Sequence, residues 1–435
     1  MVDPKPTRDA GGTNHRGEDP KAPRLSEDEQ RDRVRGQVED IVRSLSREGV
    51  TIHWYGENDD GGQSEDPADF LYLYRAERIL VRDRDVDRVR GALDGGDVAE
   101  GLIDGVTSFE LPAGMTVLAA LERLDARLGV GVGRPDTVVH VTPQVGSCCP
   151  ATEPEVEPLD SVPRPASDFS SQALGRGVSV SVVDTGWYDE AVEWADWLRG
   201  VTGDAETIDP DDIHRYAGHG TFIAGIVRGL APSAEVRVEG FLPHGGAVLE
   251  SDIIVQLLDA LERGPDIISL SAGARTRKER PLLGFEVFWE SHLRHLKGTV
   301  LVAAAGNDST RVPFWPAAFP WALSVGALDP TEALADFSNF GSWVDVYARG
   351  VDVVNAFPKG RFVCKEPPNV GVERKFEGMA RWSGTSFSTP LVAGLIAARM
   401  SRTGETARQA ADGLLKRARR QARPGVGAIL REGDA

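Results

Sequence analysis

The stretch Val178-Ser179-Val180-Ser181-Val182-Val183-Asp184-Thr185-Gly186 marks the point at which the sequence pattern changes. Its first six residues are largely apolar, which predicts a strand covered on both faces of a sheet. Downstream of it, further apolar strands are predicted at 235–240, 267–270 and 299–304, and helices at 220–230, 249–263 and 285–296. Such alternation predicts an α/β fold, a three-layer sandwich in which helices cover both faces of a mostly parallel central sheet.

Upstream, helical spacing of apolar residues predicts a helix over 25–48, and a strand is expected at 50–55. Short strands then alternate with two helices, the strands at 70–74, 78–81, 107–111 and 138–141 and the helices at 85–93 and 115–128. This pattern favours a small α+β domain. We therefore divide the chain into a disordered tail (1–23), an N-terminal region (24–142), a Pro-rich linker (143–168) and a large domain (169–433).

Composition narrows the class of protein. The 435 residues carry a formal net charge of −18, a balance opposite to that of a typical nucleic-acid-binding protein. No run of about 18 apolar residues is present, so no membrane span is expected. The polar start predicts no secretory signal, and the three cysteines, Cys148, Cys149 and Cys364, have no metal-site spacing. These features favour a cytoplasmic protein.

Three short motifs indicate chemistry. Asp184 precedes Thr-Gly, His219 precedes Gly-Thr, and Ser386 follows Gly-Thr with Pro390 four residues later. A serine hydroxyl becomes a good nucleophile when a base takes its proton and a carboxylate orients that base. The three residues therefore predict an acid, base and nucleophile set that cleaves acyl bonds.

Each motif also has an ordinary structural explanation. Ser386 is equally well placed to cap a helix N-terminus, His219 to be structural or exposed, and Asp184 to be a turn residue. Asn307, at the end of an apolar strand, is either a turn residue or a donor to an oxyanion. Their joint occurrence at element boundaries favours the catalytic interpretation.

Together the four motifs resemble those of the subtilisin-like serine proteases, or subtilases, over residues 177–432. The resemblance implies that Asp184 orients the base, that His219 is general base and then acid, and that Ser386 is the nucleophile. It implies that Asn307 is an oxyanion donor, and that seven parallel strands lie between helices. Trp187 and Phe387 depart from the usual family pattern and are expected to reshape the cleft.

The same resemblance suggests where a peptide or protein substrate binds. The expected substrate-binding residues are Ser271, Ala272 and Gly273 on one wall, Gly245 and Gly246 on the other, and Gly306. No cofactor is predicted. Calcium is usual in secreted relatives, but the acidic turn containing Asp209, Asp211 and Asp212 is better interpreted as solvated.

The N-terminal region lies where subtilases carry a propeptide. Its tail, Pro143 to Cys149, is therefore expected to lie along the cleft as a product-like inhibitor. The alternative is a docking domain that is never removed. The competing hypothesis for the whole protein is a catalytically silent binding or regulatory protein on the same scaffold.

Overall fold

The computed structural model describes residues 26–58, 62–141, 152–163, 173–242 and 246–435. The N-terminal region consists of α1 (Glu27–Arg47), β1 (Ile52–Gly56), β2 (Phe70–Arg82), α2 (Val86–Leu93), β3 (Asp97–Ile103), β4 (Val106–Glu110), α3 (Val117–Leu128) and β5 (Gly133–His140). Helix α1 begins with a capping box between Ser26 and Glu29, which satisfies backbone donors that the helix itself leaves unpaired.

The rest of the described chain is longer and alternates strands with helices. Its elements are β6 (Glu155–Glu157), β7 (Ser179–Asp184), β8 (Thr202–Gly203), α4 (His219–Leu230), β9 (Glu235–Gly240), β10 (Ala247–Leu249), α5 (Glu250–Glu262), β11 (Ile267–Leu270), α6 (Leu283–Ser291), β12 (Val300–Ala304), β13 (Leu323–Leu328), β14 (Val346–Arg349), β15 (Val353–Val363), β16 (Glu373–Trp382), α7 (Thr385–Thr403) and α8 (Ala407–Arg420).

The central sheet has the predicted form. Its seven strands lie in the order β14-β13-β12-β11-β7-β9-β8, and every paired neighbour is parallel. One apolar cluster joins the sheet to α4, α7 and α8, and a second joins it to α5 and α6. Because helices cover both faces, the inner strands β11, β12 and β13 are largely apolar and buried. The predicted three-layer α/β sandwich is confirmed.

The N-terminal sheet is antiparallel, with strands in the order β10-β5-β2-β4-β3 and β1 beside β2. The prediction of two strands at 70–74 and 78–81 was wrong, because β2 is continuous. Glu77 has a φ of +65° and the pairing of β2 with β5 shifts register between Tyr74 and Ile79. A bulge of this kind bends a strand without ending it.

Strand β10 belongs in sequence to the large domain but pairs with β5, so one sheet includes both regions. Leu80, Val106 and Val139 of the N-terminal region share an apolar cluster with Ile253 of α5 and Phe288 of α6. The N-terminal region is therefore packed against α5 and α6 through a buried apolar face.

Three further differences from the sequence predictions have local causes. Strand β3 was missed because most of its residues are exposed and show no apolar alternation. The helix predicted to 296 ends at Ser291, because His292 adopts non-helical angles. The hairpin β15–β16 was missed, and the supposed linker contributes β6, which pairs antiparallel with β16.

Within these described ranges, none of the helices has the length and apolar character needed to cross a bilayer.

Candidate active site

Asp184 is the last residue of β7, which lies between β11 and β9. Its side chain is fully buried, and its Oδ1 accepts a hydrogen bond from the Thr185 backbone N–H at 2.8 Å. The carboxyl ends of parallel strands share one edge of the sheet, where the following loops gather. The Asp184 carboxylate is thus held at that edge by the backbone N–H of the next residue.

His219 is the first residue of α4, and its Nδ1 lies 2.7 Å from Asp184 Oδ1. The glycines on either side of this histidine are needed because a larger side chain at either position would clash with neighbouring atoms. Gly218 has a φ of +73°, and a Cβ there would lie 2.4 Å from Pro358 Cδ. A Cβ at Gly220 would lie 2.5 Å from the Gly186 carbonyl oxygen. Gly218 therefore allows the helix start to approach β15 closely, and Gly220 allows it to approach the turn that follows β7.

Two aromatic rings enclose the imidazole. The His219 ring lies 5.3 Å from the Trp382 ring in an edge-to-face arrangement and 5.4 Å from the Phe387 ring. Apolar surroundings exclude water and strengthen the polar contact to Asp184. Phe387, which departs from the family pattern, thus packs against the histidine. The motif search missed Trp382 because the residue lies in the unpredicted hairpin.

Ser386 lies in the first turn of α7 and lines the same small pocket as His219. The N-cap residue of α7 is Gly384, so the alternative that Ser386 is the cap was wrong. The Ser271 hydroxyl donates a hydrogen bond to the Ser386 carbonyl at 3.0 Å, which ties the nucleophile motif to the end of β11. The structure thus brings Asp184, His219 and Ser386 to one edge of the sheet.

Asn307 is fixed through its side-chain oxygen. Its Oδ1 accepts hydrogen bonds from Thr385 N at 2.8 Å and from Thr385 Oγ1 at 2.9 Å. Gly306, with a φ of +94°, donates its N–H to the same hydroxyl at 3.2 Å. Because the carbonyl side of the amide is occupied, its N–H₂ group remains as the donor beside the start of α7.

The two expected walls of the cleft hold a segment of the chain itself. His140 and Gly273 exchange backbone hydrogen bonds of 3.0 and 3.1 Å, and Val141 N–H donates to the Gly246 carbonyl at 2.9 Å. Ser271 and Ala272 precede Gly273 and are buried. Gly245 lies outside the described residues. The C-terminal end of the N-terminal region therefore occupies the position predicted for an extended peptide.

The sequence profile of the subtilase family matches residues 175–431. The chain belongs to the subtilase family. The matched range holds Asp184, His219, Asn307 and Ser386, the residues whose motifs suggested the resemblance.

Curated relatives agree with this assignment. The chain is 32% identical over 232 residues to a thermophilic serine proteinase of Bacillus sp. (strain AK1), with 51% of each sequence covered. It is 29% identical over 234 residues to thermitase of Thermoactinomyces vulgaris, covering 51% of this chain and 75% of thermitase. The match thus spans about half of the Bacillus sp. relative.

A solved structure supports the fold. The structure of fervidolysin from Fervidobacterium pennivorans aligns with a TM-score of 0.54 at 20% identity and covers 88% of this chain and 62% of fervidolysin. At that identity the similarity shows that the two proteins share a fold.

Near its triad motifs this subtilase has a buried glutamate that no motif indicated. The Glu206 side chain is only 4% exposed, and both carboxylate oxygens accept the Gly218 N–H at 3.1 Å. Burial raises the pKa of Glu206 to about 8. The Glu206 backbone N–H donates to the Trp187 carbonyl at 2.9 Å, which holds this residue beside the segment that follows β7.

The described ranges contain no group of three or more His, Cys, Asp or Glu residues arranged to hold a metal ion. In the acidic turn, Asp209 Oδ1 accepts the Asp211 backbone N–H at 2.9 Å. That carboxylate therefore stabilises its own turn.

Proposed function

We propose that this subtilase is a serine endopeptidase that hydrolyses peptide bonds through Asp184, His219 and Ser386. In this proposal Ser386 Oγ attacks the scissile carbonyl while His219 Nε2 takes the hydroxyl proton. The imidazolium then gives that proton to the leaving amine as the C–N bond breaks. Water, activated by the same histidine, hydrolyses the acyl-enzyme and regenerates Ser386.

The observation that carries this proposal is the 2.7 Å contact between His219 Nδ1 and Asp184 Oδ1 in a pocket that Ser386 also lines. A carboxylate on Nδ1 fixes the tautomer that leaves Nε2 free to accept a proton and stabilises the imidazolium that forms. The Ser386 N–H and the Asn307 amide are the proposed donors to the oxyanion. Their positions at the N-terminus of α7 add the favourable field of the helix.

We further propose that the N-terminal region inhibits the cleft. His140 and Val141 pair with Gly273 and Gly246 in the manner of an added strand. Such pairing binds the peptide through its backbone, largely independently of its side chains. The chain is described again at Thr152, whose carbonyl accepts a hydrogen bond from Trp382 Nε1. The predicted inhibitory tail, Pro143 to Cys149, lies outside the described residues. The pocket containing His219 and Ser386 is lined by residues from both sides of this tail.

A fluorophosphonate probe tests the proposed nucleophile. Labelling that increases as the chain processes itself, is lost in Ser386→Ala and is retained in a matched Ser388→Ala control, is the expected result. Labelling absent from both intact and self-processed protein would favour the silent scaffold.

Mass spectrometry of the purified protein tests the proposed inhibition. One cut between residues 143 and 170, absent in Ser386→Ala, is the expected result of self-processing. The activity of the protein should rise as the cut product accumulates, and activity that is unchanged throughout would contradict the inhibitory role.

A further inference from the structure

We propose that Arg215 is a specificity-determining residue that directs this peptidase to substrates with a carboxylate side chain beside the scissile bond. This inference rests on the proposed peptidase function and specifies the substrate chemistry of the same cleft.

Arg215 lies four residues before His219, in the loop that leads into α4. It lines the small pocket that His219 and Ser386 also line. Only 7% of its surface is exposed, so its guanidinium group is enclosed by protein rather than hydrated. Val141, the residue that follows β5 and lies in the cleft, lines the same pocket.

The guanidinium group is only partly satisfied within the protein, where it interacts with the neighbouring Tyr216. Among the described residues, neither Nε nor Nη1 of Arg215 has a hydrogen-bond partner. The Asp40 carboxylate of α1 is 3.6 Å from Nη1, which is an ion pair without a hydrogen bond. A buried guanidinium group that makes no hydrogen bonds through these atoms is energetically unfavourable, and a planar carboxylate is the group whose geometry matches it.

Two further carboxylates line the pocket, but other donors hold them. Glu366 pairs with Arg33 Nε at 2.8 Å and accepts from Gln37 Nε2 at 3.0 Å, both on α1. Glu153 accepts the Lys365 backbone N–H at 2.6 Å. Arg215 is therefore surrounded by negative charge without a carboxylate placed to form the two parallel hydrogen bonds that it can make.

The positions in the sequence of the carboxylates near Arg215 indicate which substrate side chain this site would bind. Asp40 and Glu153 both lie outside the range 175–431 that matches the subtilase family, whereas Arg215 lies within it. Two of the three carboxylates near this cation are thus supplied by parts of the chain outside the subtilase range, namely α1 and the segment that begins at Thr152. An acidic side chain of a bound peptide would take over their electrostatic role and add the hydrogen bonds that they do not make.

Two steps of peptide cleavage by the full chain test the inference. First, a trypsin-digested proteome is incubated with the protein, and mass spectrometry locates the cuts. Asp and Glu should be enriched at one position flanking the cut. Second, synthetic peptides with that site are compared with Asn or Gln versions. The kcat/KM for the acidic peptide should be higher by about tenfold or more, as expected for a charge-assisted bidentate contact.

Variants separate specificity from structure. Arg215→Gln should reduce the acid-to-amide ratio of kcat/KM to about one, whereas Arg215→Lys should retain part of it because the charge remains. The control is Arg263→Gln, because this arginine pairs with Glu239 and does not line the pocket of His219 and Ser386. That variant should keep the wild-type ratio. Each rate is divided by the fraction of protein that the fluorophosphonate labels.

The outcomes distinguish the two proposals. Cleavage and labelling without a preference for acidic side chains, or a preference that persists in Arg215→Gln, would overturn the role of Arg215 alone. Absence of both cleavage and labelling would overturn the peptidase function and the specificity with it.

Discussion

The subtilase region and the N-terminal region both use ion pairs, but they place them in different environments. In the subtilase region the Asp184 and His219 side chains are 0% and 5% exposed, and the pair lies at the end of a buried strand. In the N-terminal region Arg82 binds Glu290 of α6 through two hydrogen bonds of 2.6 and 3.1 Å, but Glu290 is 42% exposed.

This difference shows what each pair contributes. A buried pair at a sheet edge is positioned by backbone donors and has strong electrostatic interactions. A pair open to water is screened and contributes little net stability. We therefore expect substitutions to affect activity strongly in the first region and docking weakly in the second.

The largest expected effect is that of Asp184→Asn. The amide donates where the carboxylate accepted, so the imidazole takes the wrong tautomer, and kcat should fall by about 10⁴ at neutral pH. Steady-state hydrolysis of a peptide substrate measures it. Asp209→Asn, in the exposed acidic turn, should change kcat by no more than about twofold. A similar loss in both variants would remove the distinction between the buried and exposed acids.

The next effect is that of Asn307→Ala. Loss of a donor to the oxyanion should lower kcat by about 10²–10³ while KM changes little, because the contact forms only in the transition state. Steady-state kinetics separates the two constants. A raised KM with an unchanged kcat would instead mean that Asn307 binds the ground state. Thermal unfolding of the variant checks that loss of the Thr385 contacts has not unfolded the site.

Glu206→Gln is expected to change how stability depends on pH. Burial raises the pKa of Glu206 from the 4.5 of an ordinary glutamate to about 8. Between these values the folded protein binds one more proton than the unfolded chain, so this group lowers the free energy of unfolding as pH rises. The slope is about 1.4 kcal/mol per pH unit, which glutamine abolishes.

Denaturant unfolding at about pH 5 and about pH 8, in the Ser386→Ala background to prevent self-digestion, measures this difference. The Gln variant should gain stability relative to its parent as pH rises. The exposed Glu262→Gln serves as the control and should follow the parent at both values. A Gln variant whose pH dependence matched that of the parent would show that Glu206 is ionised in the folded protein.

The smallest effect is expected for Arg82→Ala. Because the pair with Glu290 is partly exposed, its loss should lower the free energy of unfolding by less than about 1 kcal/mol. Denaturant unfolding in the same background at low and high salt measures the effect, which should shrink as salt rises. A larger effect that is independent of salt would show that the N-terminal region docks through this charge contact more than through its apolar face.

Much of the fold was predictable because buried parallel strands have a simple pattern. β9 and β11 were predicted to the residue, and β7 and β12 to within one residue at each end. Among the missed strands, β3, β15 and β16 carry exposed residues or irregular pairing, whereas β13 and β14, also missed, are largely buried. β3 pairs with β4 and β15 pairs with β16, each its neighbour along the chain, and this backbone pairing does not require the apolar pattern on which the strand predictions rested.

The candidate site divides in the same way. Asp184, His219 and Ser386 were recognisable because each stands beside small residues at the end of an element, which leaves a local mark in the sequence. Glu206 and Arg215 have no such mark. Glu206 becomes unusual through burial beside Gly218, and Arg215 through enclosure in a pocket formed partly by the N-terminal region.

Residue order alone determined the layered α/β architecture and the identity of the acid, base and nucleophile candidates, since periodic burial and close backbone approach both restrict which residues can stand at given positions. Tertiary structure alone decided that β10 joins the N-terminal sheet and that Val141 lies in the cleft. It also decided which charged side chains are buried away from water. Those outcomes depend on contacts between segments far apart along the chain, and the energy of a charge depends on everything packed around it.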